Sequence, residues 1–243
     1  MMNARDYLIF PLDLPDRKKA EQYVRTLCQK VGIFKVGLEL FVSEGHDILN
    51  MISDYSDARI FLDLKLHDIP ATVQKAMEVI SRFGVEFVTV HCSEGLPLLS
   101  AAVLSGSDTK ALGVTVLTSL DKADLIAAGL SAEYANNIEK LVLKRAELAY
   151  RAGCIGVVCS PLEAKAVKTK IPGLLVVTPG IRPAWSIVGA DDQKRVSTPC
   201  QAILNGADYL VVGRPIRLAK DPKDAADKTV EEIRNGLEQK ALN

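Results

Sequence analysis

Eight short runs of β-branched and apolar residues recur along this chain, at 7–13, 33–37, 59–65, 86–92, 111–118, 155–160, 174–179 and 208–213. Each is followed by a longer segment with helical spacing, and the first five begin about 26 residues apart. That alternation is the mark of consecutive βα units and of a parallel sheet covered by helices. In 70–83 the apolar residues Val73, Ala76, Met77 and Ile80 stand at i, i+3, i+4 and i+7, with Pro70 in the first turn. In 133–152 the stripe is Ile138, Leu141, Val142 and Ala149, and Gly153 follows where a helix end favours a left-handed residue. The one longer gap, 121–153, has room for an extra helical turn before its main helix. Eight strands alternating with helices in 243 residues, with no Pro/Gly/Ser-rich linker, predict an α/β fold: a single (β/α)8 (TIM) barrel over 1–243. Such barrels are typically about 250 residues long. A doubly wound open sheet is the alternative, weakened because no G-x-G-x-x-G or G-x-x-x-x-G-K-[ST] follows the first strand.

Composition narrows the function. Thirty basic and thirty acidic residues cancel, and only 5% of residues are aromatic, so neither the charge nor the stacking surface of a nucleic-acid binder is present. No uncharged stretch exceeds about a dozen residues, against the roughly 20 needed to cross a bilayer. The N-terminus lacks a signal peptide's long apolar region, and a cytoplasmic location without membrane association is expected. Cys28, Cys92, Cys154, Cys159 and Cys200 are odd in number and widely spaced, which argues for small buried hydrophobes rather than disulfides or a zinc site.

In a (β/α)8 barrel the chemistry sits at the C-terminal strand ends, so charged residues there carry information. Asp13 closes the first run, Lys35 interrupts the second, and the third ends Asp63-Leu64-Lys65. Strand alternation puts Asp63 and Lys65 on one face with β-carbons about 7 Å apart, leaving Leu62 and Leu64 to the helices. Sequential topology makes these three strands neighbours, so Asp13, Lys35, Asp63 and Lys65 form one patch of alternating charge, with Asp68 three residues on. Each has an ordinary use: Asp13 or Asp68 could cap the next helix, and either lysine could snorkel to solvent. Their joint occurrence on one face is hard to ascribe to stability, because buried ion networks rarely stabilise more than apolar packing would. A lysine held cationic between carboxylates suits a positioned proton donor. His46, His67 and His91 have no partner at metal-ligand spacing, and no serine or cysteine sits in a nucleophile elbow.

The last two strands carry a different signal. Thr178-Pro179-Gly180-Ile181-Arg182 and Val212-Gly213-Arg214-Pro215 each pair a glycine with an arginine close behind, as a phosphate grip requires. Barrel enzymes frequently bind phosphate in the loops after strands seven and eight, and strand eight closes beside the charged patch. Between the two, 181–195 has the composition of a loop able to close over a bound phosphate.

The stretch Asp63-Leu64-Lys65-Leu66-His67-Asp68-Ile69-Pro70-Ala71-Thr72 resembles the D-x-K-x-x-D-I-P-x-x-T motif of the orotidine 5′-phosphate decarboxylase family. The resemblance covers nearly the whole chain, taking in Leu12-Asp13, Phe34-Lys35-Val36-Gly37, Val116-Leu117-Thr118-Ser119, Thr178–Pro183, Asp192-Gln193 and Val212–Pro215 in the family's order. Ala71 stands where relatives often have asparagine. The resemblance implies an obligate homodimer with two sites at its interface, and decarboxylation of orotidine 5′-monophosphate to UMP without metal or cofactor. By position it makes Lys65 the proton donor to C6 of the pyrimidine and sets Asp63 against the substrate carboxylate. Asp68, with Ile69 and Thr72, would enter from the partner subunit. Asp13 and Lys35 would bind ribose hydroxyls, Thr118 and Ser119 the pyrimidine edge. Gly213, Arg214 and Gln193 would hold the phosphate, with Arg182 nearby and Pro179 lining the substrate site.

Two other readings keep the barrel. Magnesium-dependent decarboxylases and aldolases of sugar phosphates share D-x-K-x-x-D but resemble this chain less in Ile69–Thr72 and Gly180–Pro183. A non-catalytic phosphometabolite-binding barrel would keep Gly213 and Arg214 but has no need of the alternating charges.

Overall fold

Eight parallel strands close into a barrel in the computed structural model, which describes residues 3–103, 107–186 and 196–242. They are Leu8–Pro11 (β1), Ile33–Gly37 (β2), Arg59–Leu66 (β3), Phe87–His91 (β4), Lys110–Val114 (β5), Gly156–Val158 (β6), Leu175–Thr178 (β7) and Tyr209–Val211 (β8). Each pairs with the next in sequence, and β1 pairs with β8 to complete the ring. The eight-stranded (β/α)8 barrel is therefore as the repeat predicts, although most strands are shorter than their apolar runs. The run at 111–118 pairs only as far as Val114, where its ladders with both neighbours end, at His91 of β4 and Val158 of β6.

Local chemistry sets the helices between strands. Asp16, Asn137, Thr198 and Asp221 each cap a helix start by accepting a backbone N–H three residues on or nearer. Pro70 opens Pro70–Ile80, where its missing N–H costs nothing. Gly153 ends Ile138–Ala152 in the left-handed conformation, at φ +89°. Where one extra helical turn was expected in 121–153, two short helices stand, Lys122–Ala127 and Ala132–Ala135. Val73, Met77 and Ile80, like Leu141, Val142 and Ala149, are buried against the sheet. Among the described residues, no helix is long and apolar enough to cross a membrane.

Two apolar layers result. The outer one lies between sheet and helices; the inner one fills the barrel with Ile9, Ile33, Phe61, Phe87, Leu112, Val177 and Tyr209. Burying each large side chain stabilises the fold by about 1.5–3 kcal/mol relative to exposure. The inner layer also forms a floor. Side chains two residues farther along β2, β3 and β4, namely Lys35, Asp63 and Thr89, point the same way and stand above it at the C-terminal mouth.

Candidate active site

The charged row at the mouth is continuous. Lys35 Nζ lies 3.0 Å from Asp13 Oδ1 and 3.2 Å from Asp63 Oδ2, and Lys65 Nζ lies 2.9 Å from Asp63 Oδ1. Asp13 and Asp68 are not helix caps: Asp16 caps the first helix, and Ile69 precedes Pro70–Ile80 with no side-chain cap. Lys35 is buried and Asp63 nearly so, whereas Lys65 is partly open to the cleft. Burial works against the Lys35 ammonium, but the Asp63 and Asp13 carboxylates outweigh it and raise its pKa. Burial likewise works against ionised Asp63; Lys35 and Lys65 outweigh it and hold its carboxyl below the ordinary range. The buried Lys35 ammonium and Asp63 carboxylate thus each favour the charged form of the other.

The backbone at Lys65 is unusual. Leu62 pairs with Val88 and Leu66 with Val90, so four steps along β3 match two along β4, and β3 carries a bulge of two residues. Lys65 sits in it at φ +52°, and it is the only non-glycine with positive φ among the described residues. Such a conformation costs a residue with a β-carbon on the order of 1–3 kcal/mol, and strain of this kind gathers at functional sites. The Lys65 N–H donates to Thr89 Oγ1 at 2.9 Å, and that hydroxyl donates to Asp63 Oδ1 at 2.9 Å.

A cleft of about 460 Å³ opens above the row and is lined by Asp13, Lys35, Asp63 and Lys65 on one side. Thr118, Pro179, Arg182, Gly213 and Arg214 line it too, so the β7 and β8 ends and the charged row share one space. Gly180 takes φ +76°, and the chain returns at Ser197, where Arg182 N–H donates to Ser197 O at 2.8 Å. Gln193 and most of the expected closing loop lie outside the described residues. Ser119 is exposed and does not line the cleft. Asp68, Ile69 and Thr72 are exposed as well and lie away from it. Among the described residues the Asp68 carboxylate accepts only the N–H of its own neighbour Ile69, at 2.7 Å.

Three residues that contribute here were passed over in the sequence. Arg217 lines the cleft and donates from Nη1 to the Asp13 carbonyl at 2.9 Å, fixing the loop after β1. Gly37 clears space for the ion pair: a β-carbon there would stand 3.1 Å from Asp13 Oδ1 and 3.2 Å from Lys35 Nζ. Thr89 is the third. The sequence signal for Gly37 is its place in Phe34–Gly37, and for Arg217 its place three residues beyond Arg214 on the same short helical turn.

A wider groove of about 900 Å³ lies around Arg59, Glu86 and Lys110. It is at the N-terminal strand ends, where barrel residues serve stability, and its charges pair among themselves, Arg59 to Glu86 at 3.2 Å and Lys110 to Glu86 at 3.5 Å. His67 pairs with Glu94 at 2.9 Å. Burial, with the nearby charges of His67, Lys65 and Arg145, lowers the His91 pKa. Among the described residues no group of three or more His, Cys, Asp or Glu is arranged to hold a metal ion.

Residues 6–229 match the model of the Orotidine 5'-phosphate decarboxylase / HUMPS family. This chain belongs to that family. It is 52% identical over 237 residues to the orotidine 5'-phosphate decarboxylase of Desulfosudis oleivorans, covering 96% of this chain and 95% of that protein. It is 45% identical over 231 residues to the enzyme of that name from Methylococcus capsulatus, covering 95% and 93%. Among solved structures, orotidine 5'-phosphate decarboxylase from Lactobacillus acidophilus superposes with a TM-score of 0.77 at 34% identity, covering 93% of this chain and 98% of that one. The chain is thus an enzyme, a carbon–carbon lyase of this decarboxylase family.

Proposed function

We propose that this chain decarboxylates orotidine 5′-monophosphate to UMP in pyrimidine biosynthesis, with Lys65 as the proton donor to C6. The observation that carries the reading is the row Asp13–Lys35–Asp63–Lys65, which sets Lys65 Nζ against Asp63 in a cleft that Arg182 and Arg214 also line. Loss of carbon dioxide breaks the bond from C6 to the carboxylate carbon and leaves the electron pair on C6. The Lys65 ammonium stabilises that charge as it develops and then transfers its proton to C6, so the products are UMP and CO2 and the amine regains a proton from solvent. Asp63 sits against the substrate carboxylate, a repulsion relieved as neutral CO2 departs. Asp13 and Lys35 bind ribose hydroxyls and Thr118 the pyrimidine edge, with Ser119 beside it. Gly213, Arg214 and Gln193 take the phosphate, with Arg182 near and Pro179 against the substrate. Binding energy at the remote phosphate holds the reacting end in place.

The donor set supports metal-free chemistry. Asp63 Oδ1 accepts from Lys65 and Thr89, and Oδ2 faces Lys35, so its oxygens are committed to nitrogen and hydroxyl donors rather than open to a cation. Asp68, Ile69 and Thr72 complete the cleft of a partner subunit in a homodimer. Ile69 is 66% exposed in the single chain, and Leu38 and Val42, on the adjacent connection after β2, are 54% and 80% exposed. Apolar surface of that kind favours association. The barrel is one catalytic domain over 1–243, acting in the cytoplasm. The test is the ultraviolet absorbance of orotidine 5′-monophosphate incubated with purified protein, with and without excess EDTA. EDTA-insensitive conversion to UMP is expected. Folded protein that leaves the substrate unchanged, or that loses activity to EDTA, would turn attention to magnesium and sugar phosphates.

A further inference from the structure

We propose that Thr89 is a positioning residue that locks the Asp63–Lys65 pair at the reacting carbon, an inference that rests on the decarboxylation reading above. Thr89 is the one β4 residue between Val88 and Val90, the partners of Leu62 and Leu66, so it faces the whole bulge of β3. Its side chain is fully buried. The direction of its hydrogen bonds is forced. The Lys65 N–H can only donate, so the hydroxyl accepts it at 2.9 Å; an ionised carboxylate can only accept, so the hydroxyl proton goes to Asp63 Oδ1 at 2.9 Å. Lys65 Nζ returns to the same oxygen at 2.9 Å. The result is a closed ring: Lys65 backbone, Thr89 hydroxyl, Asp63 carboxylate, Lys65 ammonium.

The ring does two things. It gives the Lys65 N–H a hydroxyl acceptor within the bulge, and so holds Lys65 at φ +52° against its strain. It also fixes one oxygen of Asp63 by two donors, which sets the direction in which the ammonium points. A valine at 89 has the same shape but no hydroxyl, so the amide faces a methyl group and the carboxylate loses a donor. Serine keeps the hydroxyl and loses only a methyl group.

The experiment compares Thr89→Val and Thr89→Ser with the native full-length protein in steady-state decarboxylation across pH. In Thr89→Val we expect kcat to fall on the order of 100-fold, as for a misplaced reacting group, with KM within about threefold because phosphate and ribose are held elsewhere. The acid limb of its pH profile should move to higher pH, because Asp63 has lost a donor that stabilises its ionised form. Thr89→Ser should keep native kcat within about threefold and an unmoved profile. A packing defect alone would lower stability in both without shifting the profile. Native kcat and profile in folded Thr89→Val would overturn the inference; should that variant fail to fold, Thr89→Ala carries the same test. If native protein does not turn over orotidine monophosphate, the reading of the reaction fails. The positioning role is then decided by the crystal structure of Thr89→Val: Lys65 leaving the left-handed region supports it, and Lys65 unchanged at φ +52° overturns it.

Discussion

Lys35→Met removes the central cation of the row while keeping most of its buried stem. In the native protein its ammonium is 3.2 Å from Asp63 Oδ2, and at an effective dielectric of 20 that pair is worth about 5 kcal/mol. The Asp13 contact adds less than about 1 kcal/mol, because 56% of that side chain is exposed and screened by water. Against these stands the cost of burying the ammonium, which the methionine does not incur, so we expect a net loss of about 3 kcal/mol at pH 7, at the low end for a broken buried pair. The loss depends on pH in a defined way. The Asp63 pKa is lowered in the folded state, so its stabilisation is present above the unfolded carboxylate pKa and is lost as pH falls through the folded one. The Lys35 pKa is raised, so its stabilisation is present below the unfolded lysine pKa and is lost as pH rises through the folded one. The deficit of Lys35→Met should therefore be widest between those limits and narrow as pH falls below the ordinary carboxylate range and through the folded Asp63 pKa, where Asp63 protonates and no longer needs a cation. Urea denaturation of both proteins at matched concentration, from neutral to acidic pH, measures it. A deficit that is constant across pH, or below about 1 kcal/mol at pH 7, would refute the coupled-network reasoning.

Other outcomes follow from the same geometry. Gly37→Ala places a methyl group 3.1 Å from Asp13 Oδ1 and 3.2 Å from Lys35 Nζ. We expect the ion pair to be pushed apart and kcat/KM to fall roughly tenfold, equivalent to about 1.4 kcal/mol, with little change in thermal stability; kcat/KM within twofold of native would count against the Asp13–Lys35 contact. If the proposed homodimer shares its sites, mixing inactive Lys65→Ala and Asp68→Ala proteins should restore activity through hybrid sites. With free exchange half the dimers are hybrid and each has one native site, giving about a quarter of native activity. No recovery despite demonstrated exchange would mean that Asp68 does not cross between subunits.

The barrel was legible because its signal is a repeat: eight alternations state the topology many times over, and a blurred strand end does not change the count. Strand ends were not legible, since pairing stops where the neighbours stop, and β5 finishes at Val114 opposite His91 and Val158. The charged row was legible because Lys35, Asp63 and Lys65 break apolar strands. Thr89 was not: in Phe87-Val88-Thr89-Val90 a threonine is an ordinary β-branched strand residue, and its importance comes from a bulge that is a property of two strands together. Alternation put Lys65 on the face of Asp63, and the ion pair is present, but the left-handed backbone that helps aim it has no local marker such as glycine. Asp68 shows a further limit. The motif singles it out, yet the single chain leaves it exposed and outside the cleft, and its role rests on the proposed homodimer.

Whether the Lys65 ammonium supplies the proton to C6 is decided by the decarboxylation rate of Lys65→Ala on orotidine 5′-monophosphate. Folding and UMP binding would be verified in the same preparation. We expect UMP binding to persist and the rate to fall by roughly 10⁴-fold or more, since both proton transfer and charge stabilisation at C6 are lost. A folded Lys65→Ala enzyme that decarboxylates at the native rate would contradict that role.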